Sequence, residues 1–306
     1  MKKITISTLL FAAAFSIYAQ DQKYVVFQDN FDWLLPWANA LNANGKACGD
    51  AVGTNNTNAD ETVIRYINNI TIDVDGTNVK ANDKVTEMGY TLIGKTREGG
   101  NTSIPNCIAL QREMDGDNAT GVYFLFGRPK SSRGFQTPEL TNAGEGISGF
   151  TVSFDWTPNR QTNGTFDVTH LAVYITNGEV DGTVANGTRI DIESPEVEKD
   201  SEMKWYHAEA KFTATLLGTD KISIRPGANQ WPSTNNTNDN CRYFFKNLKI
   251  TSDDPKLGDT AVEEIATDCN APIEYYNLQG IRVAEPENGL YIVRQGNKVS
   301  KKFIRK

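Results

Sequence analysis

Histidine is nearly absent from this chain, with His170 and His207 the only two. A serine or cysteine nucleophile is normally activated by a neighbouring imidazole. Neither histidine lies near a Gly-x-Ser-x-Gly elbow, which does not occur, and the His-Glu-x-x-His pair of a zinc hydrolase is missing too. Both histidines read as ordinary strand positions. Cysteine is scarce: Cys48, Cys107, Cys241 and Cys269 are widely spaced and form no Cys-x-x-Cys. That excludes the usual zinc and dithiol signatures. Four cysteines permit three pairings, and spacing chooses neither among these nor between them and the reduced state. Past residue 19 no run is long and apolar enough to make a transmembrane helix. Positive charge is in deficit, 31 Lys and Arg against 38 Asp and Glu. Such a chain has no general attraction for nucleic acid or anionic lipid.

What is present begins with an export signal over residues 1–19. Lys2 and Lys3 precede a mostly apolar stretch, Ile4 to Ile17, and Ala19 supplies the small residue at the cut. The stretch is too short, and too broken by Thr5, Ser7, Thr8 and Ser16, for a membrane anchor. The first cysteine is Cys48, so none sits at the cut to carry a lipid. Cleavage removes two lysines and takes the net charge from −7 to −9.

Short alternating runs then follow, separated by Asn, Gly, Asp and Thr. In Gly149 to Trp156, Phe150, Val152, Phe154 and Trp156 alternate with polar Thr151, Ser153 and Asp155. That period of two predicts a strand with one buried face. Residues 122–126 read as an inner strand, and 169–176, 205–215, 221–225 and 242–251 as further strands. Asp75-Gly76, Asn163-Gly164, Asn177-Gly178, Asp181-Gly182, Asn186-Gly187 and Pro226-Gly227 are turn signals. Many short strands at this spacing predict an all-β sandwich or barrel, and the jelly-roll sandwich is the favoured form over residues 21–251. Only Asp60 to Asn68 reads as helical.

Composition changes at Ser252. Residues 252–272 are acidic and read as a linker, whereas 273–306 carry seven basic residues against three Glu. Three short strands are expected there, at 273–278, 290–295 and 298–304.

The tail motif Tyr276-Asn277-Leu278-x-Gly280, followed by Asn288-Gly289-Leu290-Tyr291-Ile292 and a basic last strand, resembles the sorting tails of type IX-secreted proteins. The resemblance implies an outer-membrane secretion machinery as partner and a destination in the medium or on the outer cell surface. Without a working tail the periplasm is expected. Asp259-Thr260-Ala261 resembles the O-glycosylation pattern of the same bacteria, which makes Thr260 a candidate acceptor. The main region opens with Phe27-x-Asp29-x-Phe31-x-Trp33 and Pro36-Trp37, carries the loop Gly49 to Asn55, and closes with Tyr243 to Ile250. It is similar to uncharacterised secreted proteins with the jelly-roll layout of carbohydrate-binding modules. In those modules an Asp-Asn pair in the closing strand often lies near a structural calcium. Here the pair is Lys246-Asn247, so calcium is unsupported and no cofactor is expected.

Glycoside hydrolysis needs two carboxylates across one bond. Asp191, Glu193 and Glu196 come nearest, but Pro195 interrupts the run and predicts a solvated edge. Asp155 falls on the polar face of its strand, where a cleft could use it. Asp73-x-Asp75-Gly76 looks like part of a calcium loop but is better explained as a hairpin turn. Trp231 is the leading sugar-contact candidate. It sits in a polar loop beside Asn229, Gln230 and Asn235, the setting in which a flat ring meets sugar C–H groups and amides bond hydroxyls. The alternative is an indole folded back to plug the end of the sandwich. Trp156 and Trp205 read as core. The leading expectation is therefore non-catalytic binding of a polysaccharide or other glycan. A structural or adhesive surface protein without a sugar site and a polysaccharide-degrading enzyme are the alternatives.

Overall fold

The computed structural model describes residues 23–52, 65–176, 189–227, 230–231, 240–254 and 257, and in the tail 273–277, 282–283, 286–295 and 298–304. The export signal, Thr260, Cys269, Asn229, Asn235, Gly280 and the turns at 177–178, 181–182 and 186–187 lie outside them. The chain divides into two compact units, Met1–Asp254 and Pro255–Lys306.

In chain order the first unit's elements are β1 (Tyr24–Asp29), α1 (Leu35–Asn39), β2 (Arg65–Tyr66), β3 (Thr71–Val74), β4 (Thr77–Lys80), α2 (Ala81–Glu87), β5 (Thr91–Thr96), β6 (Ile108–Asp115) and β7 (Asn118–Phe126). They continue as β8 (Ser131–Gln136), β9 (Ile147–Pro158), β10 (Leu171–Thr176), β11 (Arg189–Ile192), β12 (Tyr206–Leu216), β13 (Lys221–Pro226) and β14 (Tyr243–Ser252). One sheet runs β12-β9-β14-β7-β6-β2, with β1 paired to the second half of β14. The other runs β11-β10-β13-β8-β5, and β3 and β4 form a separate hairpin. Every pairing is antiparallel.

The two sheets meet as a sandwich of the jelly-roll type. Phe135 of β8 lies 5.4 Å from Phe126 and 5.0 Å from Phe245, which belong to the first sheet. Phe154 and Trp156 of β9 face the same interior, so the alternation read from the sequence describes this strand. The Tyr243 hydroxyl crosses between the sheets to donate to the Arg133 carbonyl. Apolar burial across this interior is the main force that closes the two layers.

β8 has the sequence Ser-Ser-Arg-Gly-Phe-Gln, yet all six residues are buried. Gly134 has a steric reason to be glycine. A Cβ there would sit 2.3 Å from the Ile224 carbonyl oxygen on the neighbouring strand β13. Arg133 is accommodated because its guanidinium donates to the carbonyls of Lys95, Ser132 and Asn101 and to the Thr96 hydroxyl.

The Asp75-Gly76 turn forms as expected, with both residues at positive φ joining β3 to β4. The helix expected from Asp60 to Asn68 is corrected in its described part. Arg65 and Tyr66 form β2 and pair with Leu110 and Ala109. A segment this short gains little as an isolated helix, and an open sheet edge offers it a ladder. A helix forms instead at α2, where Asp83 accepts from the Lys80 backbone N–H.

The second unit is a four-stranded antiparallel sheet in the order β16-β15-β17-β18. Its strands are β15 (Ile273–Tyr276), β16 (Arg282–Val283), β17 (Gly289–Gln295) and β18 (Lys298–Ile304). The three expected strands are present, with the two-residue β16 as an addition.

Candidate functional site

Trp231 is buried against the side chain of Arg225. Its ring is 9 % exposed and lies over the Arg225 guanidinium, 4.7 Å from ring centre to the guanidinium carbon. Gln230 anchors the loop rather than offering its amide outward. It donates to the Val168 carbonyl and accepts from the His170 N–H at 2.8 Å, while its own carbonyl accepts from Ser132 Oγ.

A different face gathers the exposed chemistry. Residues of the first sheet that alternate with the sandwich interior point away from the second sheet. Around Tyr123, Leu125, Ala109 and Phe244 they build a second apolar cluster, covered by Ala51, Val52 and Met203. Trp205 packs against its edge half-buried, with Tyr123 5.2 Å away edge-on. The expectation that Trp205 is core is thereby corrected. It lies one residue before β12, in phase with exposed His207, so it faces outward. That phase was readable in the sequence. What covers Trp205 was not.

Beside Trp205 runs a row of bonded polar groups on four strands. Lys246 of β14 lies with its Nζ 4.5 Å from the Trp205 ring centre and 2.5 Å from Glu113 Oε1 of β6. Asp155 of β9 sits opposite both Lys246 and His207. Its Oδ1 is 2.9 Å from His207 Nδ1, and its Oδ2 accepts from Asn247 Nδ2 at 2.7 Å. Asn247 occupies a bulge in β14 at φ 55°, which turns its amide onto the surface. The Asp155 carboxylate favours the tautomer with hydrogen on Nδ1, which makes the Nε2 of neutral His207 an acceptor. Asp32 lies at the Glu113 end of the row. Burial, with the nearby Asp29 and Glu113 charges, raises its pKa against the lowering effect of its Asn30 bond.

The other sequence candidates are dispersed. Asp191 and Glu193 lie at the edge of the second sheet, bound to Arg189 and His170 respectively. The donor set does not fit calcium at the closing strand, because Lys246 brings an ammonium to the position where a cation would need a carboxylate. Among the described residues no cluster of three or more His, Cys, Asp or Glu is placed to hold a metal ion. No described helix is long and apolar enough to cross a membrane. Cys48, Cys107 and Cys241 are free and buried. Desolvation pushes the thiols of Cys48 and Cys241 each up to about 11, so both stay protonated at neutral pH.

No family model matches the chain, and no curated protein matches it. Among solved structures, the K1 cleaved adhesin domain of Lys-gingipain from Porphyromonas gingivalis W83 is 13 % identical, with a TM-score of 0.32 over 61 % of this chain and 96 % of that one. A family 35 carbohydrate binding module from Clostridium thermocellum is 15 % identical, with a TM-score of 0.23 over 61 % of this chain and 95 % of that one. The enzymatically active domain of bacteriophage CBA120 tailspike protein 4 is 11 % identical, with a TM-score of 0.32. This chain spans 53 % of its own length there and only 19 % of the tailspike chain. Likenesses this distant carry no weight for the function. The class rests on the two packed sheets: this is an all-β sandwich of the jelly-roll type with a small C-terminal β-rich module.

Proposed function

We propose that this chain is an exported glycan-binding β-sandwich that contacts a saccharide across Trp205, Lys246, Asp155, His207 and Asn247 and does not cleave it. The observation that carries the reading is the half-buried Trp205 indole beside a row of polar groups already fixed by mutual bonds. A sugar presents C–H groups that pack on an aromatic surface and hydroxyls that need fixed donors and acceptors. Groups held by one another lose little entropy when a ligand arrives. His207→Ala is the cleanest test, because this exposed side chain supports no core packing. Its removal should leave the unfolding midpoint unchanged and weaken saccharide binding about 3–10-fold, the value of one hydrogen bond. Trp205→Ala should cost about 30-fold or more in affinity. If neither variant changes binding to any member of a broad oligosaccharide panel that the parent binds, the face is wrong. Release of reducing ends from that panel would replace binding by hydrolysis.

Export on this reading is two-stage, with residues 1–19 crossing the inner membrane and 273–306 addressing the outer one. Deletion of 273–306 should leave the protein in the periplasm, as read by cell fractionation. Undiminished surface or culture-medium protein after the deletion would remove the tail from the route.

A further inference from the structure

The second sheet carries an unneutralised cation on its outer face. Arg225 of β13 is only 5 % exposed, and among the described residues it pairs with no carboxylate. Its guanidinium lies between two rings, with centres 5.0 Å away at Tyr174 and 4.7 Å away at Trp231. Nε donates to the Tyr174 hydroxyl at 2.8 Å and Nη1 to the Pro226 carbonyl at 3.1 Å, while Nη2 makes no hydrogen bond among the described residues. Two further donors nearby lack acceptors. Ser223, two residues earlier on the same strand and opposite Tyr174, has a fully buried hydroxyl with no partner. The Trp231 Nε1 is likewise buried and unpartnered. Arg189 of β11 stands opposite Tyr174 on the other side and adds a second guanidinium, held by Asp191 at 2.5 Å.

Buried polar groups in folded proteins are nearly always paired. A buried guanidinium without an anion is among the costlier exceptions. Here the unused donors are Arg225 Nη2, the Ser223 hydroxyl and the Trp231 Nε1, with Ser223 and Arg225 on the same face of β13. We propose that this face, on the opposite side of the sandwich from the Trp205 row, is a separate anion site for the carboxylate of an acidic sugar, a uronic acid residue. A carboxylate oxygen matches the open Nη2 edge of the guanidinium, whose Nε and Nη1 are already held by Tyr174 and Pro226. The choice of a sugar carboxylate rests on the glycan-binding reading above; the anion chemistry stands on Arg225 itself.

The test uses the full mature chain and titration calorimetry with an oligogalacturonate, its methyl ester and a sulfated galactan oligosaccharide. Oligogalacturonate should bind, and methyl esterification should weaken it about 10-fold or more by removing the charge. Arg225→Met should abolish that preference while leaving the unfolding midpoint unchanged or raised, because it removes a buried charge that nothing neutralises. Arg225→Lys keeps the charge but loses the fork, and should not restore the preference. Equal affinity for acid and ester sinks the proposal, as does a fall in the midpoint of Arg225→Met with the preference intact. Binding of the sulfated oligosaccharide in place of the uronate would overturn the carboxylate assignment. If neutral sugars bind through Trp205 and the acid is not preferred, only the anion site fails. If no saccharide binds at all, the glycan reading fails with it.

Discussion

Replacing Asp167 by alanine is expected to destabilise the sandwich by about 3–5 kcal/mol, the usual cost of stranding one partner of a buried ion pair. The Asp167 side chain is fully buried and accepts four hydrogen bonds. Three come from Arg242: its backbone N–H at 3.1 Å, Nε at 2.8 Å and Nη2 at 3.1 Å. The fourth comes from Gln161 Nε2 at 2.8 Å. The Arg242 carbonyl in turn accepts from the Asn159 N–H and the Thr169 hydroxyl. The pair therefore fastens the connection between β9 and β10 to the start of β14. Loss of the carboxylate leaves a mostly buried guanidinium without its anion and four donors without an acceptor. Denaturant unfolding of Asp167→Ala reads the cost directly. A loss below about 1 kcal/mol would mean that water replaces the carboxylate, as it does at exposed ion pairs.

The second large effect is alkaline. Burial moves the Cys48 and Cys241 thiols from 9.0 to about 11 in the folded chain. In the unfolded chain they ionise at the ordinary value, so above pH 9 the unfolded state loses protons that the folded state retains. Stability from these groups is complete below pH 9 and falls as pH rises toward 11. At about 1.4 kcal/mol per pKa unit, the two thiols together remove on the order of 5 kcal/mol across that window. That compares with a total of about 5–15 kcal/mol for an ordinary domain. Burial likewise raises the Tyr90, Tyr123 and Tyr243 hydroxyls, and these act in the same direction at still higher pH. Urea midpoints under reducing conditions should be level from pH 7 to 8.5 and fall steeply by pH 10.5, with Cys241→Ala flattening the fall. Equal midpoints at pH 7 and 10.5 would show that the thiols ionise inside the fold without penalty.

The location of the thiols illustrates a wider division. Spacing left the cysteine pairing open, and the fold leaves Cys48, Cys107 and Cys241 apart and reduced. Cys241 packs with its sulfur 3.0 Å from Ser132 Oγ, a contact between residues more than a hundred positions apart. No local pattern encodes such a contact.

The sequence by itself determined the elements that alternate. β9 and β12 were legible because a half-buried strand must put apolar residues on every second position, and β10, β13 and β14, buried on both faces over most of their length, as short strand-like runs between turn signals. The Asp75-Gly76 hairpin was legible because few residue pairs tolerate its backbone angles. The tertiary structure alone decided the rest. β8 is buried on both faces although its sequence is mostly polar, since its serines, arginine and glutamine find partners or cover from distant strands. Trp231 reads as an open platform from its polar neighbours, yet it lies on Arg225, and no local pattern links the two residues. Asp155 was placed on a polar face by its phase, but only sheet order β12-β9-β14 brings His207 and Asn247 to its two oxygens. Periodicity records which way a side chain points. Its neighbours are set by strand order and by the packing of one sheet on another, and these arise from burial summed over the whole chain.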